Sequence, residues 1–442
     1  MPQATYNFPT GFLWGTATSS HQVEGNNTNN NWFAWESEPG RIKLGHTSGA
    51  ACDWWGGRWK DDFDRAADTA QNAHRLSIEW SRIQPKPDAW NEDVLNYYRE
   101  IVRGLQQRGM TPMVTLHHFT DPLWLTESGG WENPATAQLF DAYASRVVEA
   151  LKEYVTLWVT INEPNVFTYG GYLNGGFPPG KNDLGAAFNV LLNLLRAHAL
   201  AYRTIHRIQK QARVGIALNY RSFVPARSAS PFDRWMAGFL HQNFNESFVR
   251  ALVDGKFRFA LRSSEMPEAA KTQDFIGINY YSRDRVAFKP LAFQSMLHKL
   301  SYPKDADLSD TGFIANIPEG MFESLKWANR YGMPILVTEN GVEDADDDLR
   351  PRYTIQHIHQ MWRAVNFNFP IKGYFHWSQV DNFEWDRGWT QRFGLWGLHP
   401  ETQMRIRRTS VDVYADICQR SGIASEMVEK FAPEVFSKLF PD

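Results

Sequence analysis

The sequence predicts a (β/α)8 TIM barrel of the α/β class, and three observations carry that prediction. Eight short runs rich in β-branched and aromatic residues are bounded by turn residues, and segments of helical period stand between them. The first run leads into GTATSSHQVEG, not into the G-x-G-x-x-G that would open a doubly wound dinucleotide fold. In order, the runs are FLWGTAT (12–18), AHRLSIE (73–79), TPMVTLHH (111–118), LWVTINE (157–163), RVGIALN (213–219), FIGINYY (275–281), PILVTEN (334–340) and KGYFHWS (372–378). Between the second and third, Val94, Leu95, Tyr98, Ile101, Val102 and Leu105 share one helical face. Between the third and fourth, Leu139, Phe140, Tyr143, Val147, Val148, Leu151, Tyr154 and Val155 do the same. Two connections repeat a phrase, Gly109-Met110-Thr111-Pro112 and Gly332-Met333-Pro334, in which glycine ends a helix and proline opens a strand. Strict alternation of strand and helix requires right-handed crossovers and a parallel sheet covered on both faces, and eight such units close on themselves. No Ser/Gly/Pro-rich linker or shift of composition divides the chain. Residues 1–442 therefore read as a single domain with long βα loops, above all after strands one, five and six.

Composition narrows the function classes. A chain of 442 residues can remove about three quarters of its unfolded surface from water. Its 43% hydrophobic and 21% charged residues are those of a globular protein, not a disordered or fibrous one. The net charge of -3, with Lys and Arg dispersed, offers no footprint for nucleic acid or an anionic membrane. No uninterrupted apolar stretch of about 18 residues occurs, and MPQATYNFPTGF lacks the basic leader and apolar run of a signal peptide, so the expectation is a cytoplasmic protein. Cys52 and Cys418 match no disulfide or metal-ligand spacing, as in a reducing compartment. No pattern in the sequence speaks to oligomeric state.

On a barrel of this kind the strand C-termini open onto one face, where the chemistry sits. The strand ends here are unusually polar: Arg75 within strand two, His117-His118 after strand three, Asn162-Glu163 after strand four, Asn279-Tyr280-Tyr281 after strand six, Glu339-Asn340 after strand seven, and Trp377 ending strand eight. The first strand leads to Gln22 and Glu24. Each has a local explanation; Glu163 can cap a turn, and Glu339-Asn340-Gly341 is good turn chemistry. Together they would leave many buried polar groups without partners in an apolar core, and a polar ligand is the economical partner. Amides, imidazole, carboxylate and indole suit a sugar, whose hydroxyls take bidentate partners and whose C–H faces stack on rings. Glu163 and Glu339, from different strands, form the carboxylate pair that glycosidic cleavage requires. Which of the two is acid and which nucleophile, this reading leaves open.

The motifs FPTGFLWGTATSSHQVEG (8–25), HRLSIEWSRI (74–83), TINEP (160–164), NYYS (279–282), VTENG (337–341) and GYFHWSQVDNFEW (373–385) occur in order. With them the chain resembles glycoside hydrolase family one, the β-glucosidase and β-galactosidase family, from Phe8 to beyond Phe393. The resemblance implies one catalytic domain that hydrolyses terminal nonreducing β-D-glycosyl residues with retention, with β-glucosidase activity and β-galactosidase or β-fucosidase activity beside it. It implies that Glu163 is the general acid/base and Glu339 the nucleophile. Gln22, His118, Asn162, Glu384 and Trp385 should then hold the sugar hydroxyls, and Trp377 should be the stacking floor. By the same likeness Arg75, Asn279 and Tyr281 surround the nucleophile. Arg75 is expected to depress the pKa of Glu339, and the opposing negative charge to raise that of Glu163. Carboxyl groups of retaining enzymes stand about 5–5.5 Å apart. The substrates implied are small β-glycosides or short oligosaccharides, with no metal and no organic cofactor.

Two departures bear on the leaving group. Asn165 follows NEP where bacterial relatives often carry Trp, and Phe313 stands where a Trp commonly precedes I-x-x-P-E-G. A less aromatic aglycone site is the expectation, handling aryl and alkyl glycosides at least as well as cellobiose. Phospho-sugar hydrolysis is disfavoured because Glu384 and Asp386 would repel a phosphate, and thioglycoside hydrolysis because Glu163 is present. A noncatalytic sugar-binding protein is disfavoured by retention of both carboxylates. The stretch Asp344-Ala345-Asp346-Asp347-Asp348 has Leu349 where a calcium loop needs glycine, and it reads as a solvated βα loop.

Overall fold

Side chains alternate between two environments along each predicted strand, and the computed structural model, which describes residues 4–292 and 296–441, shows what the two faces meet. The strands are β1 (Leu13–Ala17), β2 (Ala73–Ser77), β3 (Thr111–His117), β4 (Leu157–Asn162), β5 (Arg213–Asn219), β6 (Phe275–Asn279), β7 (Ile335–Asn340) and β8 (Ile371–Trp377). They lie inside the predicted runs, with β8 beginning one residue early. Neighbours in sequence are neighbours in space, all parallel, and β8 returns to β1 through the pairs from Gly373↔Leu13 to Trp377↔Ala17. The sheet is thus a closed eight-stranded barrel.

Inward-facing residues mix small and large, Ala17, Ala73 and Ala217 against Met113, Phe275 and Phe375, and so fill a tapering interior without a pore. Outward-facing Trp14, Val114, Trp158, Ile216 and Ile276 join the larger core between sheet and helices. The helix Glu92–Gln107 starts on Asn91, whose side chain accepts from the Val94 N–H at 3.2 Å. It buries the six apolar residues read from its period. Each such burial contributes about 1.5–3 kcal/mol. The two anticipated αβ turns are present, with φ of 74° at Gly109 and 67° at Gly332, a left-handed backbone that glycine adopts without strain.

The helix Leu184–Ile208 corrects one expectation. Averaged hydropathy makes it long and apolar enough to cross a membrane, although no unbroken apolar run exists. Asn189, Asn193, Arg196 and His198 interrupt the run; the Asn193 amide donates to the Trp131 carbonyl at 2.9 Å, Arg196 donates to Asn193 Oδ1 at 3.0 Å, and His198 Nε2 meets the Thr272 carbonyl at 2.6 Å. In the most apolar window 72% is buried within the protein, because the helix packs between the barrel and the helix Thr136–Leu151.

Long excursions follow β1, β5 and β6 as expected, and further ones follow β4 and β8. Those after β5 and β6 contribute Ser222–Pro225, Arg283–Phe288 and His298–Ser301 to a separate three-stranded sheet.

Candidate active site

β4 ends on Asn162, and the next residue, Glu163, adopts left-handed backbone (φ 44°, ψ 59°) before Pro164 opens a short helix to Thr168. That single reversal turns the carboxylate into the mouth of the barrel. Its Oε1 accepts from the side-chain amides of Asn219 at 2.9 Å and Asn279 at 2.8 Å. Across the same cavity, of about 270 Å³, stands Glu339 at the end of β7. Arg75, fully buried within β2, donates to Glu339 Oε1 at 2.5 Å, and the Tyr281 hydroxyl donates to Oε2 at 2.6 Å. The guanidinium also donates to Thr115 Oγ1 and to Asn162 Oδ1, which fixes its plane. Asn279 joins the two halves, donating to Glu163 and to Asn162 Oδ1 while accepting from Thr338 Oγ1, next to Glu339.

The two carboxyl groups have unlike surroundings. Glu339 faces a cation and a phenol; Glu163 faces two neutral amides. Burial, reinforced by the charge of Glu339, lifts Glu163 to about 8. Glu339 is also raised, against the expectation that Arg75 depresses it. Arg75 and Tyr281 do pull downward, but burial of the carboxylate outweighs them. The charged form nevertheless belongs on Glu339, because of the two carboxylates it is the one to which Arg75 donates directly.

The Asn162 amide lies 3.0 Å from His118 Nε2, which assigns that nitrogen as acceptor and places the proton on Nδ1. His118 Nδ1 is buried with no protein partner, a donor facing the cavity wall it helps form. Burial first and Arg75 second hold this imidazole well below its usual range, hence neutral. Gln22 Nε2 donates to the Phe383 carbonyl at 2.9 Å and to Glu384 Oε2 at 3.2 Å. Glu384, lifted to about 8 chiefly by burial and then by Glu339, lines the cavity with Trp385, Trp377 and Phe313. Arg387 lies over the Phe313 ring at 5.2 Å.

Asn165 does not reach this cavity. Its amide donates to the backbone carbonyls of Asn219 at 2.7 Å and Phe244 at 3.0 Å, and it borders a second cavity instead. Nor is the cavity poor in rings, since Tyr169, Phe244 and Tyr302 line it as well as Phe313. Glu24 is structural, bound to Arg82 at 2.8 Å and to the Tyr98 hydroxyl at 2.6 Å. Asn219 joins the site without standing among the residues expected from sequence, although β5 ends in an amide just as β4 and β6 do. The polar strand ends thus find many of their partners in one another, not solely in a ligand.

The aspartate stretch after β7 is less solvated than expected. Asp344 accepts from the Leu349 and Arg350 N–H groups, and buried Asp347 pairs with buried Arg350. Among the described residues, Asp310, Asp344 and Asp346 bring carboxylate oxygens within 4.8 Å of one another, the one grouping with metal-ligand geometry.

Comparison with known proteins gives the arrangement its family. The family model described as glycosyl hydrolase family 1 matches residues 4–423. A β-glucosidase A from Thermotoga maritima is 35% identical over 94% of this chain and 98% of its own, and a β-galactosidase from Pyrococcus woesei is 32% identical over 96% and 99%. Among solved structures, a β-glycosidase from Pyrococcus horikoshii superposes with a TM-score of 0.90 at 36% identity, covering 97% of this chain and 98% of its own. A Thermotoga maritima β-glucosidase in complex with glucoimidazole gives 0.88 at 33%, covering 95% and 100%. With its closed barrel and paired carboxylates, the chain belongs to glycosyl hydrolase family 1, as a β-glycosidase.

Proposed function

We propose that the protein is a retaining β-glucosidase that removes terminal nonreducing β-D-glucosyl residues by double displacement, with galactosides and fucosides as secondary substrates. The observation that carries this reading is the unlike pairing of two buried carboxyl groups in one cavity, Glu339 with a cation and Glu163 with amides. Ionised Glu339 attacks the anomeric carbon while Glu163 gives its proton to the departing oxygen. Esterification cancels the charge of Glu339, which is the second cause of the high pKa of Glu163. Glu163 then becomes the stronger acid and, as carboxylate, takes a proton from the water that releases the sugar. In this reading His118 and Glu384, which line the cavity, read hydroxyls, Gln22 supports Glu384 by donating to its Oε2, and Trp377 stacks on the ring.

The first step needs Glu163 protonated and Glu339 charged. Activity should therefore peak between mildly acidic and neutral pH and decline as pH passes through about 8. Proton NMR of the first sugar released from a nitrophenyl β-glucoside tests the reading: the β-anomer supports it, and the α-anomer overturns it. The same chain, 1–442, would act as one catalytic unit. The two buried free thiols, Cys52 and Cys418, support a reducing, cytoplasmic setting, which cell fractionation tests.

A further inference from the structure

Glu343 is a buried carboxylate that the proposed reaction does not use. It belongs to the excursion that follows β7, shortly beyond Glu339, and is 1% exposed. A carboxylate so placed needs donors, and one turn supplies them. Its Oε1 accepts from Ser309 Oγ at 2.5 Å, from Thr311 Oγ1 at 2.6 Å and from the Phe313 N–H at 3.4 Å. Its Oε2 is buried without a partner among the described residues, so no other element competes for the group.

The turn, residues 309–314, lies in the excursion after β6. It closes on Ser309, whose N–H donates to the Ile314 carbonyl at 2.9 Å, whose Oγ accepts from the Ile314 N–H at 2.9 Å, and whose carbonyl accepts from the Gly312 N–H at 2.8 Å. Glu343 therefore grips the residue on which the turn converges. Phe313 and Ile314 line the cavity that holds Glu163 and Glu339. Gln391, from the excursion after β8, lines it too and donates to Thr311 Oγ1 at 3.3 Å. One buried side chain thus joins the excursions of three neighbouring strands where they become cavity wall.

The Phe313 ring has few other restraints. It is 41% exposed, its carbonyl accepts from the Tyr302 hydroxyl at 2.6 Å, and Arg387 lies over it. Asp310 accepts from the Ala345 N–H at 2.6 Å, so without Glu343 the turn would stay tethered but free to tilt.

We propose that Glu343 is a positioning residue for the hydrolysis: by fixing the turn 309–314 it sets where Phe313 stands, and so how the cavity closes around a substrate. The proposal rests on this cavity being the site of hydrolysis. A wall placed in advance spares the substrate the cost of ordering it, so loss of Glu343 should raise KM. Glu163 and Glu339 are held by Asn219, Asn279, Arg75 and Tyr281, none of which bonds to Glu343, so kcat should change little.

Kinetics on nitrophenyl β-glucoside test this. Glu343→Ala should raise KM about tenfold with kcat within about threefold. Glu343→Gln keeps a carbonyl oxygen for the same donors and should bring KM back to within about threefold of the unaltered protein. Phe313→Ala should raise KM as well, and adding Glu343→Ala to it should then change KM by no more than about twofold, because one residue acts through the other. If Glu343→Ala does not fold, Thr311→Val at an exposed position removes one donor and should raise KM about threefold, again only while Phe313 is present. An unchanged KM in the folded variant, a loss confined to kcat, equal losses in the Ala and Gln variants, or effects of Glu343→Ala and Phe313→Ala that simply multiply would each overturn the proposal and spare the assignment of activity. An unaltered protein that leaves the glucoside intact would instead refute the glucosidase reading, and the proposal would fall with it.

Discussion

Replacing Tyr281 by Phe removes one hydroxyl and leaves the ring, and the structure says what that hydroxyl does. It donates to Glu339 Oε2 at 2.6 Å, and burial keeps the phenol far above its ordinary pKa, so it remains a donor across the working range. A hydrogen bond to a charged group is worth about 1.5–3 kcal/mol, which at 1.36 kcal/mol per unit corresponds to about one to two pKa units. The bond favours the ionised form, so its loss moves the pKa of Glu339 upward, adding to a burial effect that already raises it. In the proposed mechanism only ionised Glu339 can attack. The acid limb of kcat/KM should therefore shift by about one to two pH units toward alkali, with losses of about tenfold to a hundredfold on that limb. The alkaline limb, set by Glu163, should stay in place and the optimum should narrow. A profile of kcat/KM on nitrophenyl β-glucoside from about pH 4 to about pH 9 reads both limbs at once. An acid limb that does not move, or a loss equal at every pH, would show that Tyr281 does not govern the charge of Glu339.

Glu163→Ala should largely spare glycosylation by a dinitrophenyl glucoside, whose leaving group needs no proton, while cutting turnover of alkyl glucosides by about a hundredfold or more; equal losses on both would remove Glu163 from the acid role. Glu384 has its folded pKa raised from 4.5 to about 8, so the folded state binds the extra proton between those values. The stability this contributes is complete below about 4.5 and is lost as pH rises through about 8. Glu384→Gln should accordingly raise the Tm relative to the unaltered protein more at pH 8 than at pH 5, and a constant difference would contradict the assignment. A Cβ at Gly341 would lie 1.9 Å from the Trp377 carbonyl oxygen, so Gly341→Ala should cost about 1–3 kcal/mol in urea unfolding and raise KM by displacing the stacking indole. Unchanged stability and KM would mean that the wall yields freely.

The barrel was readable because its information is periodic and local. Alternation along each strand reports two faces, and phrases such as Gly332-Met333-Pro334 mark joints by backbone chemistry alone. The carboxylate pair was readable for a related reason: a carboxylate at the end of an apolar strand is anomalous wherever the rest of the chain goes. Asn219 carried the same signal more faintly, since an amide ending a strand is ordinary turn chemistry. What sequence could not supply was direction and depth. Asn165 points away from the cavity that holds Glu163 because the reversal at Glu163 rotates the helix that follows, an outcome no spacing rule encodes. The pKa of Glu339 depends on how completely it is buried, and that follows from all the surrounding strands together. The second cavity is assembled from segments as distant as Leu173, Leu191, Phe223 and Phe259, so its apolar residues read individually as ordinary core.

The left-handed backbone at Glu163 has a consequence for how such a protein can evolve. A non-glycine residue held in that region costs about 1–3 kcal/mol, and the cost recurs each time the chain folds. Glycine would relax the bend and make the molecule sturdier, and by the same stroke would take the carboxylate out of the cavity. Selection for durability alone would favour glycine here, so a glutamate at this position exchanges stability for a carboxylate in the cavity.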